Sequence, residues 1–136
     1  MHNLKIHTDG GARGNPGPAA VGVVFDCGDY HLEHERYIGE TTNNVAEYTG
    51  VLDALDRIPE IMKEQPISAI SFFLDSELVV KQIRKEYKVK EPFLQQLHAS
   101  VLQKMSLISI PITYTHVRRA ENALADKLVN HALDSR

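Results

Sequence analysis

The chain has 136 residues, 43% of them hydrophobic and 24% charged, with a formal net charge of -3. That is enough for one domain with its own core, and no apolar run is long enough to cross a bilayer. Cys27 is the single cysteine, which excludes an internal disulfide and fits a reducing compartment, while the acidic balance argues against binding nucleic acid through bulk charge.

The segment before the first glycines alternates, with Leu4, Ile6 and Thr8 on one face and Lys5, His7 and Asp9 on the other. This is the period of a half-buried strand, and it puts Asp9 at the strand's carboxyl end, where open α/β sheets place their chemistry. Gly10 to Gly17 is read as a loop too rich in Gly and Pro to continue the strand. Ala20 to Phe25 and Tyr30 to Ile38 follow as two more strands of an antiparallel meander. Val45, Tyr48, Val51, Leu52 and Leu55 recur at helical spacing, predicting a helix over 44–58 that Pro59 helps to end. Ile67 to Leu74 reads as a central strand, apolar on both faces. Helices are expected over 76–84 and 92–105, a strand over 110–117 and a final helix over 120–133. Three early strands followed by alternating helices and strands predict an α/β fold. Its five-stranded mixed sheet is antiparallel through strands 1 to 3, then parallel in strands 4 and 5, and is flanked by helices in a single domain over 1–136. The stretch from Met1 to Lys5 lacks the charged and apolar regions of a secretory signal, so a cytoplasmic location is expected.

Four carboxylates stand at strand ends or helix starts, and each has a plain structural reading beside the functional one. Asp9 before a glycine loop is a turn former, and Asp75 at the end of the central strand is an N-cap for the next helix. Asn44 and Glu47 fit a capping box, although the helical wheel puts Glu47 on the flank of the apolar stripe. Asp126 lies on the border of an apolar face built from Leu124, Ala125, Leu128, Val129 and Ala132, where a surface Asp gains from the helix dipole. Crossovers to parallel strands would bring three of these strand ends to one edge. There, neighbouring carboxylates are unfavourable unless a cation lies between them.

Taken in order, four pieces of sequence resemble the type 1 ribonuclease H family. They are Thr8 to Pro18 around Asp9, Thr41 to Glu47, Leu74 to Leu78 around Asp75, and His116 with Glu121 to Asp126. The resemblance spans essentially the whole chain, in a short form without a hybrid-binding domain or a long basic protrusion. It implies a ribonuclease H-like fold and an endonuclease that cuts the RNA strand of RNA/DNA hybrids, leaving 5′-phosphate and 3′-hydroxyl ends. It further implies two Mg²⁺ ions, with Mn²⁺ as a substitute, roughly 3.5–4 Å apart. Hard cations suit a carboxylate set with no thiolate or multi-histidine ligands. By the same resemblance Asp9 bridges both ions, Glu47 and Asp75 hold the ion at the leaving oxygen, and Asp126 holds the ion that activates water. Asn122 supports the approach to Asp126, and His116 assists proton transfer or product release. Asn15, Asn43 and Asn44 would contact substrate, with Gly10 and Gly11 allowing close backbone approach and Arg13 available to a phosphate.

Two features depart from many family members. Glu77 stands where glutamine is common, and the connection through Tyr87 to Pro92 is short. Lys81, Arg84, Lys85, Lys88 and Lys90 crowd around that connection, and Lys85 and Lys88 are candidate phosphate contacts replacing a protrusion; the alternative is a solvated helix end. The expected partner is an RNA/DNA hybrid, with no membrane and no obligate protein partner, acting as a monomer. Alternatives of the same fold are a catalytically silent nucleic-acid-binding member and a DNA-directed nuclease. A nucleotide-cradling reading of Gly10 to Gly17 fails, because the loop ends without Gly-Lys-Ser/Thr and leads into a strand. A zinc site from Cys27, His31 and His34 lacks a fourth ligand at suitable spacing.

Overall fold

The computed structural model describes residues 2 to 136, and its elements are laid out by which faces of one sheet must be covered. Strand β1 (His2–Ala12) pairs antiparallel with β2 (Gly17–Cys27), which pairs antiparallel with β3 (Tyr30–Thr41). Helix α1 (Asn43–Glu64) crosses over to β4 (Ile67–Leu74), parallel to β1 on its other side. Helices α2 (Glu77–Ile83) and α3 (Pro92–Ser106) lead to β5 (Ile112–His116), parallel to β4, and α4 (Ala123–Asp134) follows a short 3-10 turn over Arg119–Asn122. The sheet order is β3-β2-β1-β4-β5. This is the predicted mixed sheet.

Alternation along the strands divides the core. Leu4 and Ile6 of β1, Val23 and Phe25 of β2, and Ile70, Phe72 and Leu74 of β4 pack with Tyr48, Val51, Leu55 and Ile58 of α1 and with residues of α2 and α3. The opposite face of β2, through Ala20 and Val24, packs against Ala125, Leu128, Val129 and Ala132 of α4. One face therefore carries three helices and the other carries one. Tyr48 of α1 donates to Gln82 of α2 at 2.6 Å, tying the first two helices together under the sheet.

Several boundaries differ from those predicted. β1 does not stop at Asp9: Gly10, Gly11 and Ala12 stay in register with Val21, Ala20 and Ala19, because the partner strand supplies the ladder that their propensity would not. Only residues 13–16 turn, and Arg13 N–H donates to Pro18 O at 2.8 Å to close the hairpin. α1 runs through Pro59 to Glu64, since Ile58 and Ile61 continue the buried stripe and tertiary packing outweighs the hydrogen bond lost at proline. Its N-cap is Thr42, whose hydroxyl accepts from Val45 N–H at 3.3 Å, so the Asn44–Glu47 capping box is replaced. Ser76, and not Asp75, caps α2. Leu124, assigned to the buried face of the last helix, lies in the first turn of α4 and is 41% exposed. β5 is shorter than predicted, since Pro111 cannot donate to the ladder although its carbonyl accepts from Ile70 N–H.

Candidate active site

The parallel pairing of β1 with β4 ends where Thr8 lies opposite Leu74, so the next residues, Asp9 and Asp75, are neighbours where β4 stops. Two glycines bring the helices close enough to join them. A Cβ on Gly10 would lie 2.2 Å from the Ala46 backbone and 2.6 Å from the Glu47 nitrogen, so the first turn of α1 rests directly on β1. On the other face, a Cβ on Gly22 would lie 2.4 Å from Ala125 O and 2.8 Å from Leu128 Cβ, so α4 crosses β2 in contact with its backbone. The first contact delivers Glu47 and the second delivers Asp126.

Asp9, Glu47 and Asp75 each offer a carboxylate oxygen within 4.8 Å of the others. Asp9 and Glu47 are both only 7% exposed. Gly10 N–H donates to Asp9 Oδ1 at 3.0 Å and to Glu47 Oε1 at 3.2 Å. Burial lifts the Asp9 carboxyl from 3.8 to about 7, opposed by its hydrogen bond with Glu47 and reinforced by the charges of Asp75 and Asp126. Glu47 is raised well above its ordinary value by burial and by Asp9. Two carboxyls so placed share a proton unless a cation is supplied. Asp75 is raised by burial, against the pull of Asn122 and Arg119. Asp126, half-buried, stands outside the tight trio but close enough for its charge to act on both Asp9 and Asp75. The residues fit divalent cations: Glu47 Oε2 is buried without a hydrogen-bond partner, and the donors are carboxylates only. Asp9 is the member of the trio on which Asp126 acts through both its charge and a side-chain hydrogen bond.

The carboxylates line a cleft of about 470 Å³ together with Gly10, Gly11, Arg13, Asn43 and Asn44. Asn43 is held by the hairpin, because Ala12 N–H donates to Asn43 Oδ1 at 2.8 Å and Asn43 N–H donates to Asn15 Oδ1 at 3.0 Å, while Asn15 itself lies outside the lining. The side-chain oxygens thus pin the hairpin to α1. Asn122 is buried and donates to Thr8 O at 2.9 Å, anchoring the start of α4 to β1 beside Asp9. His116 ends β5 outside the cleft lining, with Nδ1 3.7 Å from Glu77 Oε2. Lys85 and Lys88 lie on the exposed connection between α2 and α3, away from the carboxylates; Lys88 lines a separate groove with Leu78, Tyr87 and Lys90. His31 is clamped by Asp26 and Glu33, and His34 by Asp53, so neither joins Cys27.

Sequence reasoning missed Arg119 and Asn130, which also line the cleft. Arg119 sits in the short turn between His116 and Asn122, whose shape no periodicity reveals. Asn130 is one helical turn beyond Asp126, so the i,i+4 spacing was a usable signal.

The RNase H family model matches residues 1–134. The Mycobacterium tuberculosis bifunctional protein Rv2228c is 39% identical over 135 residues, covering 97% of this chain but only 36% of that protein. A ribonuclease HI from Halobacterium salinarum is 38% identical over 134 residues, covering 96% of this chain and 65% of its own length. Among solved structures, LC11-RNase H1 in complex with an RNA/DNA hybrid superposes with a TM-score of 0.90 at 42% identity, covering 97% of each chain. A match of sequence and fold on this scale, across all the elements that carry the four carboxylates, means that the chain belongs to the ribonuclease H family.

Proposed function

We propose that this chain is an endoribonuclease that hydrolyses the RNA strand of RNA/DNA hybrids with two Mg²⁺ ions, leaving 5′-phosphate and 3′-hydroxyl ends. The observation that carries this reading is the carboxylate trio, two of its members buried, with Asp126 beside it, at the edge of a fold whose relative LC11-RNase H1 is solved with a hybrid. Asp9, Glu47 and Asp75 would hold one ion, and Asp9 with Asp126 the other; Mn²⁺ would fit the same oxygen donors. When bound, the ions neutralise the phosphate, acidify a water and stabilise the leaving oxygen.

The protein's own residues do the rest. Burial of Asp9 and Glu47 keeps bulk water from the ligands and makes their carboxylates demand a cation. Asn15, Asn43 and Asn44 form a rim of amides suited to ribose hydroxyls and base edges in a minor groove, which favours a hybrid without demanding sequence. Arg13 and Arg119 supply positive charge at the cleft for the scissile strand's neighbouring phosphates. His116, within reach of Glu77, takes or gives a proton as product leaves. Lys85 and Lys88 contact phosphates of the hybrid beyond the cleft. The unit works as a cytoplasmic monomer formed by one domain over 1–136. No helix among the described residues is long and apolar enough to cross a membrane.

The test is cleavage of a labelled hybrid beside duplex DNA and duplex RNA in Mg²⁺, with Asp9→Asn as control. The expected result is hybrid-only cleavage that the control abolishes. Equal activity of the control would refute the metal assignment, and cleavage confined to duplex DNA would refute the substrate. Lys85→Glu with Lys88→Glu should weaken hybrid binding and flatten its salt dependence; an unchanged slope returns these lysines to a solvated surface.

A further inference from the structure

Asn130 joins the hairpin loop to the one carboxylate of the four that stands outside the tight trio. Its Nδ2 donates to the Asp126 carbonyl at 3.1 Å and lies 3.5 Å from Asp126 Oδ2. Its Oδ1 accepts from Arg13 Nη2 at 3.3 Å, and the Nη1 of Arg13 pairs with Asp134 Oδ1 at 2.7 Å. The guanidinium is donor-only, so the amide atom facing it must be the oxygen, and the amide N–H₂ is thereby turned toward Asp126. Arg13 thus sets the orientation of the group beside the carboxylate.

We infer that Asn130 is a positioning residue that holds Asp126 for the second metal ion and links that ion to the state of the hairpin loop. This rests on the hybrid-cleavage reading above. Asp9 and Glu47 are fixed by burial and by the Gly10 N–H, whereas Asp126 is half-buried on a helix and its carboxylate has rotamers to lose. The Arg13–Asp134 pair is open to water on both sides, with 44% and 67% of the side chains exposed, so a phosphodiester can replace Asp134 on Arg13. Arg13 uses different nitrogens for its two partners, so a phosphodiester that takes Nη1 from Asp134 leaves Nη2 on Asn130 and the amide N–H₂ turned toward Asp126. Nucleic-acid binding and the placing of Asp126 would then be coupled through Arg13 and Asn130.

Asn130 is exposed on a helix, where alanine is the better helix former, so Asn130→Ala keeps the fold. Mn²⁺ binding is followed by electron paramagnetic resonance on the enzyme complexed with a hybrid whose RNA strand carries 2′-O-methyl riboses, and the Mg²⁺ concentration for half-maximal cleavage is measured alongside. Asn130→Ala should leave the first Mn²⁺ at wild-type affinity, weaken the second about tenfold, and raise the Mg²⁺ requirement by the same factor. Arg13→Ala should weaken the second ion less, and should add nothing to it once Asn130 is alanine, while its effect on KM persists in both backgrounds. Wild-type affinities in Asn130→Ala would overturn the inference. Equal weakening of both ions with a falling Tm, or multiplicative effects of the two substitutions, would do the same. If the ion affinities behave as expected but the wild type cuts no hybrid, the positioning role stands and the substrate reading fails.

Discussion

Replacing Asp9 with asparagine should destroy activity and make the protein more stable, and the gain should appear only as pH rises. The folded carboxyl titrates near 7 and not at 3.8, mainly because it is buried. Its pKa is raised on folding, so between those values the folded state holds a proton that the unfolded state has released. Stability therefore falls as pH climbs from about 4 to 7, and the deficit is complete above the folded value. The interval corresponds to about 4 kcal/mol. Glu47 takes up part of the relief when its partner is neutralised, so the expected gain for Asp9→Asn is about 2–4 kcal/mol at pH 8. Urea unfolding in EDTA at pH 4, 6 and 8 measures it: the gap between variant and wild type should be near zero at pH 4 and widen to its full value at pH 8. Millimolar Mg²⁺ should then close the gap, because the wild type binds the cation and the variant has lost a ligand. A gap independent of pH, or a variant less stable than wild type at pH 8 in EDTA, would refute the reasoning.

Four further outcomes follow from packing, charge and backbone conformation. Gly22→Ala puts a methyl 2.4 Å from Ala125 O, which forces α4 back by about 1 Å and should cost about 1–3 kcal/mol by urea unfolding, with activity recoverable at high Mg²⁺ as Asp126 retreats. Gly10→Ala meets backbone on α1 at 2.2 Å and should not be rescued by metal; similar rescue of both variants would contradict the separate roles of the two helices. Asp53 accepts from His34 Nε2, Arg36 Nε and Arg36 Nη2, each at 2.9 Å or as a 2.9 Å pair, and although burial opposes its charge these bonds hold its pKa below the ordinary value. Asp53→Asn should therefore cost about 1–3 kcal/mol at pH 7, a loss that shrinks as pH falls through the depressed pKa; a pH-independent cost would refute the ionic account. Lys85 is left-handed, with φ of 65°, so Lys85→Gly should raise Tm by relieving about 1 kcal/mol of backbone strain, less the entropy glycine loses; a lower Tm would contradict this.

Alternation in β1 and the helical spacing in α1 were readable because each pattern reports on one face of one element. Asp9, Glu47, Asp75 and Asp126 could be named from ordered motifs, and the parallel pairing of β1 with β4 explains why the strand-end pair meets. What composition concealed was support from neighbours. Gly10 and Gly11 look like loop residues until β2 is placed beside them, and Pro59 looks like a stop until Ile61 is seen in the core. Gly10 illustrates the limit well, since its missing side chain makes room for a helix that lies far away in sequence. The link from Arg13 to Asn130 spans 117 positions, a separation no local pattern can express.

The four carboxylates come from β1, the residue after β4 and two helices, and the last of them in sequence rides on α4. A nascent polypeptide on the ribosome can pair β1 with β2 and lay down α1 well before α4 has emerged, so it can hold most of the trio's scaffold while still lacking Asp126. On the proposed reading, competence to cut is withheld until α4 has docked over Gly22, which would make catalysis a readout of that one packing contact.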